Sequence, residues 1–195
     1  MPSKSAAAFF RPRYPILSPR VLLRPFTEDD LEPLHDMQSQ PEVARFVEMY
    51  RQPPSREQVC AALAWRMRNT ALSQEGDALM LAVESKSRHV LVGEVILYWL
   101  DEQHRQGELG TIFNPRYHGQ GLATEAVTEM LRLGFESLGL RRIIARCDVR
   151  NTPATRVVER IGMRREALLR DCSFVEEAWH SEYLYSILSA EWAGR

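Results

Sequence analysis

Cysteine is scarce in this chain. Cys60, Cys147 and Cys172 are its three cysteines, far apart in sequence. An odd, scattered set with no C-x-x-C pair excludes a disulfide framework, a zinc ribbon and a thioredoxin-type motif. It fits a reducing compartment, so a cytoplasmic location is expected. An excess of charge of either sign is also missing. The 25 Lys and Arg balance 26 Asp and Glu to a net charge of −1. No overall field draws the chain to nucleic acid or to an anionic membrane surface, and neither is expected as a partner. The histidines are scattered, and no metal site is expected from them. No apolar run approaches the roughly 20 residues of a membrane helix. Ala6 to Phe10 is apolar but too short for a signal-peptide core, and Arg11, Pro12 and Arg13 follow it directly. Internal repeats and low-complexity linkers are absent. What remains is a 195-residue chain, 45% hydrophobic. That is enough to bury the core of one domain and little for two. Residues 1–19 read as a loose N-terminal extension and 20–195 as the domain.

Hydrophobic periodicity divides the domain. Val21 to Phe26 reads as a strand, followed by a helix capped by Thr27 with Glu28, Asp29 and Asp30 in its first turn. Pro33 shortens or kinks that helix. Ser55 with Gln58 three residues on is a capping box opening a helix through Val59, Leu63, Trp65 and Met67. Leu79 to Glu84 and Val90 to Leu100 form a hairpin across Ser85 to His89. A strand over Gly107 to Phe113 follows. Ala123, Val127, Met130, Leu131, Gly134 and Leu138 fall on one helical face. Arg142 to Val149 is a strand. Pro153 to Ile161 is a helix ended by Gly162. Phe174 lies in an irregular stretch, and Trp179 to Leu188 is a last strand. The order is that of an α/β or α+β domain around one mixed sheet.

The segment Arg116-Tyr117-His118-Gly119-Gln120-Gly121-Leu122-Ala123-Thr124 joins the Gly107–Phe113 strand to the following helix. Glycines there permit close approach of backbone to a ligand. The first amides of the helix lack intrahelical partners and sit at its positive end, so a phosphate or pyrophosphate fits. A dinucleotide fold would follow the first strand and place an acid about 20 residues on, and a Walker loop needs a lysine. Neither fits here.

Arg116-x-x-Gly119-x-Gly121-x-Ala123 resembles the pyrophosphate loop of the GNAT N-acetyltransferase superfamily, and GELGTIFNPRYHGQGLATEA is similar to its ribosomal-protein alanine N-acetyltransferases. Three further segments match in order: Arg20 to Phe26, Val92-Gly93-Glu94-Val95, and Asn151-x-x-Ala154-x-Arg156 through Gly162-Met163. The resemblance spans about Arg20 to Leu188. It implies a single mixed, mostly antiparallel sheet splayed at the cofactor strand and flanked by helices. It implies acetyl-coenzyme A as cofactor, with coenzyme A as product, and a homodimer becomes conceivable. The amides of His118, Gly119, Gln120, Gly121, Leu122, Ala123 and Thr124 would wrap the pyrophosphate, with the Thr124 hydroxyl as a further donor. Arg116 would add charge, or be a solvated loop residue. Ile112 and Phe113 would offer backbone to the pantetheine arm as to an added strand. Asn151 would reach the cofactor, or cap the helix beside Pro153.

The implied reaction is acetyl transfer to a primary amine, either a protein N-terminus or a small molecule, by direct attack. Glu108 is the candidate base; the competing reading is a strand glutamate paired with an arginine. A backbone amide would meet the oxyanion. The position where the family places a serine is Ala154 here, which keeps a catalytically silent acyl-coenzyme A-binding sensor as the alternative. Cys147 is expected as a buried structural thiol. Trp179, Tyr183 and Tyr185 alternate on one face and are expected to pack in the core, or else to line the acceptor cleft. Arg45, Tyr50 and Trp65 are weaker candidates for the acceptor side.

Overall fold

Strands alternate one buried face with another, and nearly continuous apolar runs mark those covered on both sides. The structure, a computed structural model, describes residues 9–46, 53–175 and 177–194; Tyr50 lies outside them. In chain order the elements are β1 (Ile16–Leu17), β2 (Val21–Arg24), a short 3-10 turn, α1 (Leu31–Gln38), α2 (Pro41–Ala44), α3 (Arg56–Arg68), β3 (Ala78–Ser85), β4 (Val90–Asp101), β5 (Gln106–Phe113), α4 (Leu122–Arg132), β6 (Arg142–Asp148), α5 (Thr152–Arg160), β7 (Arg164–Val175), β8 (Ala178–Leu188) and α6 (Ser189–Trp192). Eight strands form one sheet in the order β1-β2-β3-β4-β5-β6-β8-β7. Every neighbouring pair is antiparallel except β5 and β6.

Helices cover both faces. Val127, Met130 and Leu131 of α4 and Val158 of α5 pack with Leu81, Val95, Leu97 and Ile143 in the larger core. On the other face Leu34 and Met37 of α1 and Val59 and Leu63 of α3 close over Ala82 and Leu91. That is why β3, within Leu79–Val83, is fully buried rather than alternating. The capping box of Ser55 and Gln58 forms as the sequence indicates. Pro33 falls in the first turn of α1, where its missing N–H costs nothing.

Four features differ from the sequence expectation. Residues 10–17 are not loose: Phe10 bridges Leu72, the Tyr14 hydroxyl donates to the Thr70 carbonyl at 2.7 Å, and β1 lengthens the sheet. The helix after the glycine turn is α-helical to Arg132 and continues to Ser137 with π-type bonding. There Gly134 leans on the sheet so closely that a Cβ would stand 2.6 Å from Ile143 Cδ1. The stretch around Phe174 is strand, the end of β7. Register shifts between Arg165 and Ala167 and between Leu169 and Ser173 hide its period in the sequence. Finally, α2 is a four-residue turn behind Pro41 that carried no periodic signal.

The parallel pair is where the sheet opens. β5 and β6 are in register only at Gln106 with Arg142, Gly107 with Ile143 and Glu108 with Ile144. Beyond Glu108, β5 stays on β4 and β6 stays on β8. The sheet forks there.

Gly93 is where β4 and β5 press closest: an added Cβ would lie 2.6 Å from Phe113 Cδ1 and 2.7 Å from the Ile112 carbonyl oxygen. Gly93→Ala is expected to cost roughly 1–3 kcal/mol by overpacking against backbone that cannot yield, read as a lower chemical-denaturation midpoint at unchanged slope.

Candidate active site

The glycine turn follows a 3-10 turn over Pro115–Tyr117, held by the Asn114 side chain accepting from the Arg116 amide. Gly119 and Gly121 have φ of +74° and +75°, a region that strains any residue with a Cβ. Gly121 caps α4 without a side-chain acceptor. The first intrahelical bond is the Glu125 amide to the Gly121 carbonyl, at 3.1 Å. The amides of Leu122, Ala123 and Thr124 therefore open the helix without a capping side chain, at its positive end. Backbone amides at the positive end of a helix suit an anionic group such as a pyrophosphate.

The strand leading to it has an open edge. The bond from the Asn114 amide to the Val92 carbonyl sets the phase of the β4–β5 ladder. Antiparallel ladders alternate, so Ile112 and Gly110 turn their backbone groups to β4, and Leu109, Thr111 and Phe113 turn theirs to the fork. Of the expected pair, Phe113 faces the open edge and Ile112 does not. The His118 ring bonds the Phe113 carbonyl at 3.2 Å.

Within the fork lies a cavity of about 220 Å³. Its floor is Leu109, Gly110 and Thr111 of β5 against Ala145, Arg146 and Cys147 of β6. Asn151, Ala154 and Val158 close the α5 side. Arg45 and Phe46, with Ser173, His180 and Glu182 of the last two strands, close the other. The cavity thus passes between the two faces of the sheet, from the side of α5 to the side of α1 and α2.

Glu108 stands at the branch point. Its carboxylate takes Arg146 Nε at 2.9 Å and Nη2 at 3.3 Å, a bridge from β5 to β6 across the fork. The arginine-paired reading of Glu108 is therefore realised, whatever its chemistry. Asn151 caps α5, accepting from the Ala154 amide at 3.2 Å, and also lines the cavity. Arg116 turns its guanidinium to Asp36 of α1 at 2.9 Å. Gln120 is held by Arg88 through its side chain at 3.1 Å. The Thr124 carbonyl receives the Thr128 hydroxyl at 2.8 Å.

Other residues enter the site that sequence reasoning passed over. His180 and Glu182 of β8 carry no motif, yet they line the cavity. Tyr185 does pack in the core, its hydroxyl on Glu159 at 2.9 Å, whereas Trp179 is 62% exposed against Phe174. Asp148 is gripped by Arg150 through two side-chain bonds of 2.9 and 2.7 Å. Burial opposes its charge, but those bonds hold its carboxyl below the usual range. Arg66 and Glu94 form a fully buried bidentate pair of 2.6 and 2.7 Å between α3 and β4. The signal for that pair was an arginine among the apolar positions of α3 and a glutamate inside a buried strand.

The chain matches the family model for the acetyltransferase (GNAT) domain over residues 20–164; it belongs to the GNAT acetyltransferase family. It is 32% identical over 177 residues to the uncharacterized N-acetyltransferase YnaD of Bacillus subtilis, an alignment covering 91% of this chain and 98% of that one. A crystal structure of a GNAT-family acetyltransferase from Bacillus anthracis superposes with a TM-score of 0.77 at 30% identity, covering 94% of this chain and all of the other. The ribosomal-protein-serine acetyltransferase of Escherichia coli is 25% identical over 118 residues, 60% of this chain and 65% of its own. The chain is accordingly an acyltransferase of the N-acetyltransferase class.

Cys147 lines the cavity, but burial, with Glu182 and Glu159 nearby, pushes its thiol up to about 12. A raised thiol pKa keeps the neutral form through the working range, so Cys147 is no nucleophile. At about pH 8 a thiol reagent is expected to titrate exposed Cys60 and Cys172 in the native protein and to reach buried Cys147 only after denaturation. Three fast thiols would refute the assignment.

Proposed function

We propose that the chain transfers an acetyl group from acetyl-coenzyme A to a primary amine, with the donor along the open edge of β5 and the amine entering from the α2 and β8 side. The observation that carries this reading is the continuity of three features. The uncapped start of α4 adjoins the open edge of β5, and that edge runs into a cavity reaching the opposite face of the sheet.

Bound there, acetyl-coenzyme A supplies an activated acyl thioester. The amides from His118 to Thr124 hold its pyrophosphate, with Leu122, Ala123 and Thr124 the best placed. Leu109, Thr111 and Phe113 offer backbone groups to an extended arm, as an edge strand does to an added strand. Asn151 closes the far wall. Glu108 accepts the proton released by the amine, directly or through a water, and Arg146 fixes the orientation of both its oxygens. Ala154 supplies no hydroxyl on the α5 side of the cavity, so no side chain of that wall would protonate a departing thiolate.

The acceptor we infer is the amine of a peptide N-terminus before that of a polyamine. Arg45, Arg146 and Arg150 share the cavity wall with Asp148 and Glu182. A wall of mixed sign suits a neutral, amide-rich chain better than a polycation.

Two measurements test this. Thiol release from acetyl-coenzyme A over a panel of peptides and small amines is expected to exceed background with at least one peptide. Cofactor binding without turnover on any acceptor would instead support a silent sensor. Glu108→Gln is expected to lower kcat by about 10²-fold or more, the usual contribution of a general base, while the dissociation constant for coenzyme A stays the same. Unchanged kcat would leave Glu108 as a brace of the fork.

A further inference from the structure

Arg20, at the end of the loop that enters β2, lies behind the glycine turn rather than in front of it. Its Nη1 donates to the Gln120 carbonyl at 2.7 Å and its Nη2 reaches the Gly121 carbonyl at 3.4 Å. Its Nε pairs with Glu125 of α4 at 2.8 Å, and its own backbone amide donates to the other oxygen of that carboxylate at 2.6 Å. The Val21 amide joins it at 3.3 Å. Burial opposes the charge on Glu125, but these bonds from Arg20, Ser18 and Val21 hold its carboxyl below the usual range. The pair is thus a fixed one, anchored at both ends.

The geometry of the peptide unit turns this contact into a function. In a trans peptide the C=O and the following N–H point to opposite sides. The Gln120 carbonyl shares its peptide with the Gly121 amide, and the Gly121 carbonyl with the Leu122 amide. A guanidinium that collects both carbonyls on one side aims both amides to the other. It also places a positive group at the oxygen end of each peptide dipole, and hydrogen bonds in series polarise one another. Gly121 has a second reason to lack a side chain: a Cβ would stand 3.3 Å from Arg20 Nη2.

We propose that Arg20 is a positioning residue for the donor site: it orients and polarises the Gly121 and Leu122 amides toward the pyrophosphate without touching the ligand. This rests on the pyrophosphate reading of the turn given above. The test compares coenzyme A with pantetheine, its fragment that lacks the pyrophosphate, by NMR titration of the wild type, Arg20→Ala and Arg20→Lys. Wild type is expected to bind coenzyme A far more tightly than pantetheine. Arg20→Ala is expected to weaken coenzyme A roughly tenfold, the effect of losing about 1.4 kcal/mol, and to leave pantetheine affinity unchanged. Arg20→Lys keeps the charge but not the planar fork, so it is expected to fall between. Equal loss on both ligands would mark Arg20 as merely structural and overturn the proposal, as would no loss on either. A wild type that binds the two ligands alike would instead sink the pyrophosphate reading itself, and the proposal with it.

Discussion

The parting of β5 from β6 after Glu108 is the constraint on which the rest of this structure depends. Separating two strands inside a sheet strands a row of amide and carbonyl groups, each of which costs free energy if left buried without a partner. The fold limits the exposure to one edge of each strand. β5 keeps β4 along its whole length, and β6 keeps β8. The pair of Glu108 with Arg146 crosses the branch point just where the ladder stops. The groups that face the gap are those of Leu109, Thr111 and Phe113, and their lack of a strand partner is what makes them available to a ligand. An edge that would elsewhere invite aggregation is here sunk between α5, α2 and the last hairpin.

The fork and the glycine turn are not independent. Phe113 ends the open edge, the 3-10 turn follows, and α4 begins nine residues on at Leu122. The turn is tied forward to α1 by Arg116 on Asp36, sideways to the β3–β4 turn by Arg88 on Gln120, and backward to β2 by Arg20. Three guanidinium groups from three elements hold a segment that contains two glycines. Glycine gives the turn its shape and also its entropy in the unfolded chain. The arginines supply the rigidity that glycine withholds, and they do so through carbonyls and side chains, leaving helix-end amides facing outward.

Much of this was legible in the sequence. The sheet, its hairpin, the capped helices and the glycine turn all have local signatures, because period, caps and positive φ are properties of short segments. The glycine turn and the strand that leads to it could therefore be read. The cavity could not. Its walls come from a four-residue helix, from bulged β7 and from the polar interval of β8, where His180 and Glu182 carry no motif of their own. Alternation says that two sets of side chains oppose each other; it does not say which set borders a cavity. The phase of the ladder was hidden in the same way. Ile112 and Phe113 differ by one residue in sequence and by a half-turn in space, and only the Asn114–Val92 bond decides which of them faces the gap. Glu108 is the clearest case. Its position was legible, but its partner Arg146 lies 38 residues away on a strand joined to it by three register pairs.

The buried pair of Arg66 and Glu94 shows how the face under α1 and α3 is held steady. Taking two such charges out of water costs several kcal/mol each, and a hydrophobic pair of equal volume is often no less stable. Stability therefore does not explain it. Geometry does: the fork of a guanidinium meets a carboxylate in one plane and at one distance, whereas leucine against leucine tolerates sliding. Glu94 sits opposite Ile112 on β5 and Ala82 on β3, in the middle of the sheet beneath α3. Arg66 also donates to the Ala62 carbonyl in the preceding turn and lies 5.9 Å over the Phe26 ring. A helix pinned this way cannot shift along β4 without breaking two charged hydrogen bonds in a buried site. Burial, with Glu94 and Glu108 nearby, pushes the Tyr98 hydroxyl up, so the ring beside this pair stays neutral. The face toward which the cavity opens is thus ordered by charge and shape together.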